Sequence, residues 1–287
     1  MRHGFRKECQ PVTELDMTNR YSQAKQGRGI SVLGIVPARG GSKGIKRKNI
    51  RLLKGKPLLA YTLEAIKNAK TQFDHIVSTD DEVIREVALA HGGNVPYLRP
   101  KELAQDETNI IAVIEDALKK AQKKYEYILL LQPTAPLRTS ADIDAALSLA
   151  KKYPVNSVCS FARVESYHPW YMYYRRDNNT LQQVVPTQAG KPRQEFPLTL
   201  WRNGAIYLVK TDFLLKQKKF ISKDCRPYIM PLNRSVNIDS MDDLDLAEYL
   251  INKSESRKRK RINKANKCED HIIKNKKLKR RLAKSNK

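Results

Sequence analysis

SVLGIVPARGGSKGIKRKN, residues 31–49, sets a short apolar run directly against a basic, glycine-rich loop. The run at 31–37 suits a strand, and Leu59, Leu63, Ile66 and Ala69 have the spacing of an amphipathic helix, so this part of the chain reads strand, loop, helix. The cycle repeats. HIVS at 75–78 reads as a strand, and Asp81 starts a helix with Val83, Val87 and Ala90 on one face, closed by Gly92 and Gly93. A helix bearing Ile110, Ile114, Ala117 and Ala121 leads into YILLLQ at 127–132, an unbroken apolar run of the kind buried on both faces of a parallel sheet. Thr139 or Ser140 caps a helix with Ile143, Ala146, Leu147 and Ala150, and NSVCSF at 156–161 returns as a strand. Strands alternating with helices imply an α/β fold with a doubly wound, mostly parallel sheet.

From Arg163 to Trp201 the alternation gives way to aromatic, proline-rich and basic sequence, and strands resume with AIYLV at 205–209. Seven aromatics lie between Tyr167 and Trp201, more than suits water, so residues of about 163–201 read as an inserted arm that meets a partner, with a homodimer expected. VNIDS at 236–240 reads as a closing strand. Asp242 to Ile251 reads as a helix with Leu244, Ala247 and Leu250 facing inward. The ordered domain is expected over 30–251, between an N-terminal extension at 1–29 and a basic tail at 252–287, both expected to be disordered.

A chain of 287 residues with 40% apolar content can bury one large core. No stretch approaches the roughly 18 apolar residues of a membrane span, and the first thirty residues lack the apolar centre of a signal peptide, so a cytoplasmic protein is expected. The four cysteines, Cys9, Cys159, Cys225 and Cys268, are scattered, without metal-ligand spacing, and read as reduced thiols. The net charge of +25 suggests a nucleic-acid binder until it is divided. Residues 252–287 hold 16 Lys or Arg against 3 acids, a net +13, so over half the charge belongs to the tail.

Ligands of open α/β sheets bind beyond the carboxyl ends of the strands, which puts Pro37 to Asn49 at a ligand edge. Gly40, Gly41 and Gly44 can take positive φ and turn N–H groups toward a phosphate, while Arg39, Lys43 and Lys48 supply cations. A solvated basic turn is the alternative for this loop alone. It is not a Walker A loop, since no Gly-Lys-Ser/Thr occurs. In LLLQPTAPLR, 129–138, the prolines fix the exit of a buried strand and hold Gln132 and Thr134 at the same edge, or simply end the strand. Asp239 supplies the kind of oxygen ligand that Mg²⁺ on a nucleotide requires, while Asp242 and Asp243 read as helix caps.

Taken in order, ARGGSKGIKRKN (38–49), VSTDD (77–81), LRPKELAQD (98–106), LLLQPTAPLR, PRQ (192–194), RNGAIYLV (202–209) and NIDSMDDL (237–244) resemble motifs of the acylneuraminate cytidylyltransferase, or CMP-sialic acid synthetase, family. The resemblance spans about residues 30–251 and implies a fold of the nucleotide-diphospho-sugar transferase type. It implies in-line displacement at the α-phosphate of CTP by the anomeric hydroxyl of a nine-carbon 2-keto sugar acid, with Mg²⁺ as cofactor and pyrophosphate released. By residue, it implies catalytic roles for Arg39, Lys43 and Asp239. Nucleotide binding would fall to Ala38, Arg39, Lys43, Lys48, Asn49 and Arg99, and the metal to Asp239. Gln132, Asn203 and Tyr207 would form the sugar pocket, with the fork of Arg193 on the sugar carboxylate.

Three positions depart from the family pattern. Asn237 stands where well-known members carry a second aspartate, which points to one protein carboxylate on the metal. Trp170 and Tyr171 follow His168-Pro169 as in relatives acting on legionaminic or pseudaminic acid. Ile110 replaces a small polar residue near the base. The alternatives are a CMP-Kdo synthetase-like enzyme, which lacks support because GKPL comes late at 55–58, and a polyanion-binding protein. RKRKR at 257–261 and KLKRR at 277–281 favour the latter, but the tail has no aromatic residue for stacking, so contact with nucleic acid reads as incidental.

Overall fold

The computed structural model describes residues 29–260 except 43, 165, 187–191 and 258. β1 (Val32–Pro37) leads through the basic loop into the small pair β2 (Leu52–Leu53) and β3 (Lys56–Pro57). Then come α1 (Leu58–Lys67), β4 (Asp74–Ser78), α2 (Glu82–Ala90), α3 (Ile110–Lys120), β5 (Tyr127–Leu130), α4 (Ser140–Lys152) and β6 (Ser157–Arg163). The hairpin β7 (Tyr173–Arg175) and β8 (Leu181–Gln183) precedes β9 (Leu200–Lys210), α5 (Thr211–Gln217), β10 (Arg226–Ile229) and α6, residues 241–257. The main sheet has the order β10-β6-β9-β5-β1-β4, with β9 antiparallel to β5 and β6 and the other pairs parallel. This is the doubly wound, mostly parallel α/β sheet that the alternation predicts.

Strand pleating divides the core. Val32 and Val36 of β1 with Leu129 of β5 join α1, α2 and α4 on one face, while Leu33 and Ile35 with Ile128 and Leu130 join α3 and α5 on the other. Because both faces are covered, β1 and β5 are almost continuously apolar, and YILL of β5 is wholly buried. A third, smaller cluster seats Leu244 and Ala247 of α6 against Ile45, Leu53, Leu58 and Ile238. Thr139 caps α4 through a capping box with Asp142, as the sequence suggests.

Four local expectations change. In α2 the buried residues are Ile84 and Ala88, whereas Val83 is exposed. Asp81 accepts from the Ile84 N–H as N-cap, as expected, and the face turned to the core is the one that carries Ile84 and Ala88 rather than Val83. Residues 236–240 form no strand but an irregular segment anchored by Ile238 N–H to Thr134 O at 2.8 Å. β10 is unexpected, because RPYI is half exposed at the sheet edge and carries a proline, which blurs any strand signal. Finally, α6 passes the expected end at Ile251 and continues through residue 257, where Glu255 pairs with Lys54 at 2.7 Å. The expectations for 1–28 and 261–287 fall outside the described residues, as do Cys9 and Cys268, while Cys159 and Cys225 are free thiols.

The arm leaves and rejoins the sheet at a single point, since Arg163 and Leu200 pair directly across β6 and β9. His168, Trp170, Tyr171 and Phe196 pack into an aromatic root, ring centroids 4.8 to 5.5 Å apart. Tyr167, Tyr173 and Tyr174 remain exposed.

Asp142 is buried and accepts from Tyr228 Oη at 2.7 Å, from Thr139, and from the Arg234 guanidinium. Burial would raise its pKa, but the hydrogen bonds from Arg234, Thr139 and Tyr228 outweigh it and hold the carboxyl below its usual range. Asp142→Asn is expected to cost about 1–3 kcal/mol at neutral pH. A depressed folded-state pKa stabilises above the unfolded value and loses that contribution on acidification, so the gap between variant and parent closes below about pH 4. Urea titrations at several pH values check this, and a gap independent of pH would contradict it.

Candidate active site

Three parallel strands deliver their carboxyl ends to one edge. β1 runs into Ala38-Arg39, β4 into Thr79-Asp80-Asp81 and β5 into Gln132, with Ala38 N–H donating to Ser78 O at 2.9 Å to tie the first two exits together. A cleft of about 440 Å³ opens there. Arg39, Lys48, Asn49, Arg99, Gln132 and Asp239 all line it, so residues from both ends of the domain converge on one space. Pockets of this size hold a small ligand.

The basic loop is fixed from below. Asn49 is buried and its Nδ2 donates to Arg39 O at 2.9 Å, holding the backbone that carries the guanidinium. Gly40 N–H donates to Asp80 Oδ1 at 3.1 Å, and the same carboxylate lies 3.5 Å from the buried Arg99. Burial pushes the Arg99 pKa down, Asp80 opposes that, and the neighbouring charge of Arg39 adds to the depression. Lys48 Nζ donates to Asp239 Oδ1 at 2.9 Å, and Asn237 Nδ2 donates to Asp239 Oδ2 at 2.7 Å. Arg39 pairs with Asp106 at 2.7 Å. Each of these three cations therefore faces a carboxylate across the cleft wall.

Among the described residues of the basic loop, Arg47 takes the left-handed conformation at φ 54°, whereas Gly40, Gly41 and Gly44 do not. Gly44 is required for a different reason. A Cβ there would stand 2.6 Å from the Asp239 backbone oxygen, so the loop and the late segment touch backbone to backbone. At Gly204, φ is +75° and an added Cβ would meet Gln132 Oε1 at 3.0 Å, so this glycine makes room for the Gln132 side chain.

Other expected site residues lie elsewhere. Lys43 falls outside the described residues, and Ala38 is buried behind the loop. Asn203 does not line the cleft. It is buried, takes Ser160 Oγ at 2.6 Å, donates to Ser235 Oγ at 2.9 Å, and secures the irregular register between β6 and β9. Tyr207 is also packed inward, its ring 5.3 Å from that of Phe220. Alternation along β9 explains both, since these side chains point into the sheet's covered faces rather than off its end. Arg193 is exposed on the arm, away from the cleft lining. Asp243 caps α6, accepting from Ser240 N–H at 2.8 Å, as its spacing suggests.

Several contributors escape sequence reasoning. Asp80 and Asp106 lie inside the motifs VSTDD and LRPKELAQD without a role assigned there, and they pair with Arg99 and Arg39. Arg138 is buried, donating to Ala205 O and Thr62 Oγ1 at 2.7 Å each and to Gln132 O at 3.3 Å, so it clamps the exit of β5 from behind. Burial pushes its pKa down to about 10.

A cation-rich loop packed against an acidic segment, at the carboxyl edge of a doubly wound sheet, defines a nucleotide-binding α/β protein. Residues 33–223 match the family profile described as Cytidylyltransferase. The chain is 32% identical over 224 residues to CMP-N,N'-diacetyllegionaminic acid synthase of Legionella pneumophila, covering 77% of this chain and 96% of that protein. It is 32% identical to pseudaminic acid cytidylyltransferase of Campylobacter jejuni, covering 76% and 95% respectively, and 33% identical to N-acylneuraminate cytidylyltransferase of Streptococcus agalactiae, covering 73% and 50%. In fold it is similar to a CMP:2-keto-3-deoxy-manno-octonic acid synthetase, with a TM-score of 0.61 and 16% identity over 78% of this chain and 99% of that one. The chain belongs to the cytidylyltransferase family, of the acylneuraminate type, and is a nucleotidyltransferase.

The Gly44 contact can be probed directly. Overpacking against backbone costs about 1–3 kcal/mol, so Gly44→Ala is expected to weaken CTP binding about tenfold. Calorimetric titration measures this, and unchanged affinity would show that the two segments need not touch.

Proposed function

We infer that this chain transfers CMP from CTP to the anomeric hydroxyl of an N-acylneuraminate-like nine-carbon 2-keto sugar acid, releasing pyrophosphate. The observation that carries the inference is the convergence of Arg39 and Lys48 with Asp239 on one cleft. The names of the relatives that cover most of this chain support the choice of sugar. In this reading the hydroxyl oxygen forms a bond to the α-phosphorus as the bond to the bridging oxygen of pyrophosphate breaks, and the hydroxyl proton passes to water. Arg39 and Lys48 offset the charge that gathers on the leaving group, with Arg99 and Lys43 alongside. Gln132, held by Arg138 and given space by Gly204, orients the sugar, and Asp239 orients the attacking hydroxyl.

The residues fit a magnesium ion. Asn237 Oδ1 is buried without a hydrogen-bond partner, and its amide touches the exposed Asp239 carboxylate. One carboxylate and one carboxamide oxygen are hard donors, and Mg²⁺ takes one or two protein oxygens beside phosphates and water. When bound, Mg²⁺ would offset phosphate charge and polarise the phosphoryl oxygens. Asp239→Asn is expected to raise the Mg²⁺ concentration needed for nucleotide binding, and an unaltered metal titration would move the site elsewhere.

Trp170 and Tyr171, in the aromatic root of the arm, favour a legionaminic- or pseudaminic-type acid over N-acetylneuraminate. The exposed tyrosines of the arm, with Trp201 and Leu246 on a groove of about 840 Å³ beside Asp239, favour a homodimer formed through this side. No described helix is long and apolar enough to cross a membrane, and a cytoplasmic site of action is part of the same proposal, with polyanion contact by the tail incidental. The chain, incubated with CTP, Mg²⁺ and a panel of nine-carbon and eight-carbon keto sugar acids, is expected to release pyrophosphate with the nine-carbon acids. Turnover confined to the eight-carbon acid would instead assign a Kdo-type enzyme.

A further inference from the structure

The segment that follows Arg99 does more than close the cleft. Arg99 N–H donates to Thr79 O at 2.7 Å, which fixes its start against the exit of β4. Beyond Pro100 it folds on itself. Ala104 N–H reaches Lys101 O at 3.0 Å, Gln105 Nε2 reaches Lys101 O at 3.0 Å, and Thr108 Oγ1 reaches Glu102 O at 3.3 Å. A loop so tied presents residues 105 and 106 at a set position. Both are used on one side chain: Arg39 donates through one terminal nitrogen to Gln105 O at 2.9 Å, and its other terminal nitrogen lies 2.7 Å from Asp106 Oδ1.

A guanidinium held through two nitrogens by one rigid segment has its plane fixed. We propose that Asp106 is a positioning residue for Arg39, one that aims the guanidinium into the cleft and competes with the nucleotide phosphates for it. The proposal rests on the assignment of Arg39 to those phosphates. Arg39 and Asp106 are 32% and 35% exposed in their side chains, so the pair is screened by water and exchangeable rather than a locked buried bridge. A polyanionic triphosphate draws on the same guanidinium while Asp106 still limits the direction in which it points. Asp106 itself lines the cleft, so its charge also opposes the entry of phosphate. Orientation and competition act in opposite directions on the two steps of the reaction. Aim favours turnover, and competition weakens nucleotide binding.

That opposition yields a test that a merely structural role does not mimic. With CTP and Mg²⁺ and no sugar acid, Asp106→Asn is expected to bind CTP about three- to tenfold more tightly by calorimetric titration. With the sugar acid present, its kcat is expected to fall by a similar factor because Arg39 is less well aimed. Asp106→Glu keeps the charge and is expected to restore the weaker binding. Melting temperatures of the variants identify any loss of fold, and Asp106→Ser gives a second neutral variant in case the first is unstable. Arg39→Ala separates the two layers of the argument. If it weakens CTP binding while both neutral Asp106 variants bind CTP no better than the parent, the competition is overturned and the role of Arg39 stands. If Arg39→Ala binds CTP like the parent, the assignment of Arg39 fails and takes the proposal with it.

Discussion

The cleft depends on two pieces of backbone, far apart in the chain, lying against each other without a side chain between them. Gly44 belongs to the loop after the first strand, and the Asp239 carbonyl belongs to the segment that precedes the last helix. Their contact sets the reach between Lys48 and Asp239, two residues separated by 191 positions. The small cluster of Ile45, Leu53, Leu58, Ile238 and Leu244 supports the contact from beneath, so the burial that seats α6 also seats the acidic segment. Backbone contact of this kind leaves no rotamer to adjust, which is why the geometry is well determined although Asp239 itself is exposed.

Charge is organised in pairs around this contact. Arg39 faces Asp106, Lys48 faces Asp239, and Arg99 faces Asp80. Positive groups crowded together would repel one another, and the interleaved carboxylates offset that repulsion while keeping each cation oriented. The local balance contrasts with the chain as a whole, whose net charge of +25 is concentrated at the carboxyl end. Bulk basicity and phosphate recognition are thus separate properties here. A tail can attract polyanions by charge alone, whereas the cleft acts through placement.

Much of the fold was legible because strand pleating and helix periodicity are local signals. The apolar run of β5, the capping box at Thr139 and the alternation of elements need only neighbouring residues to be understood. The misses share a cause, which is that a distant partner decides them. VNIDS has the composition of a strand, yet it lies beside the Thr134 carbonyl outside the sheet, and RPYI, with its leading arginine and its proline, gains strand character from β6. The site shows the same division. Arg39, Lys48, Gln132 and Asp239 were visible as motif residues, and Asp106 gained meaning only when the loop bearing it folded over Arg39. Asn203 and Tyr207 belong to the same motifs, but their place on β9 turns them into the protein interior.

The reversed direction of β9 closes the base of the arm. β6 runs up to the cleft edge and β9 runs down from it, so the chain between them begins and ends at directly paired residues, Arg163 and Leu200. Whatever lies between these two positions is spliced onto a junction already closed by sheet pairing, and the core does not register its length. The arm can therefore change in length without disturbing the strand register, and any version of it emerges from the same edge of the sheet as the cleft without a hinge.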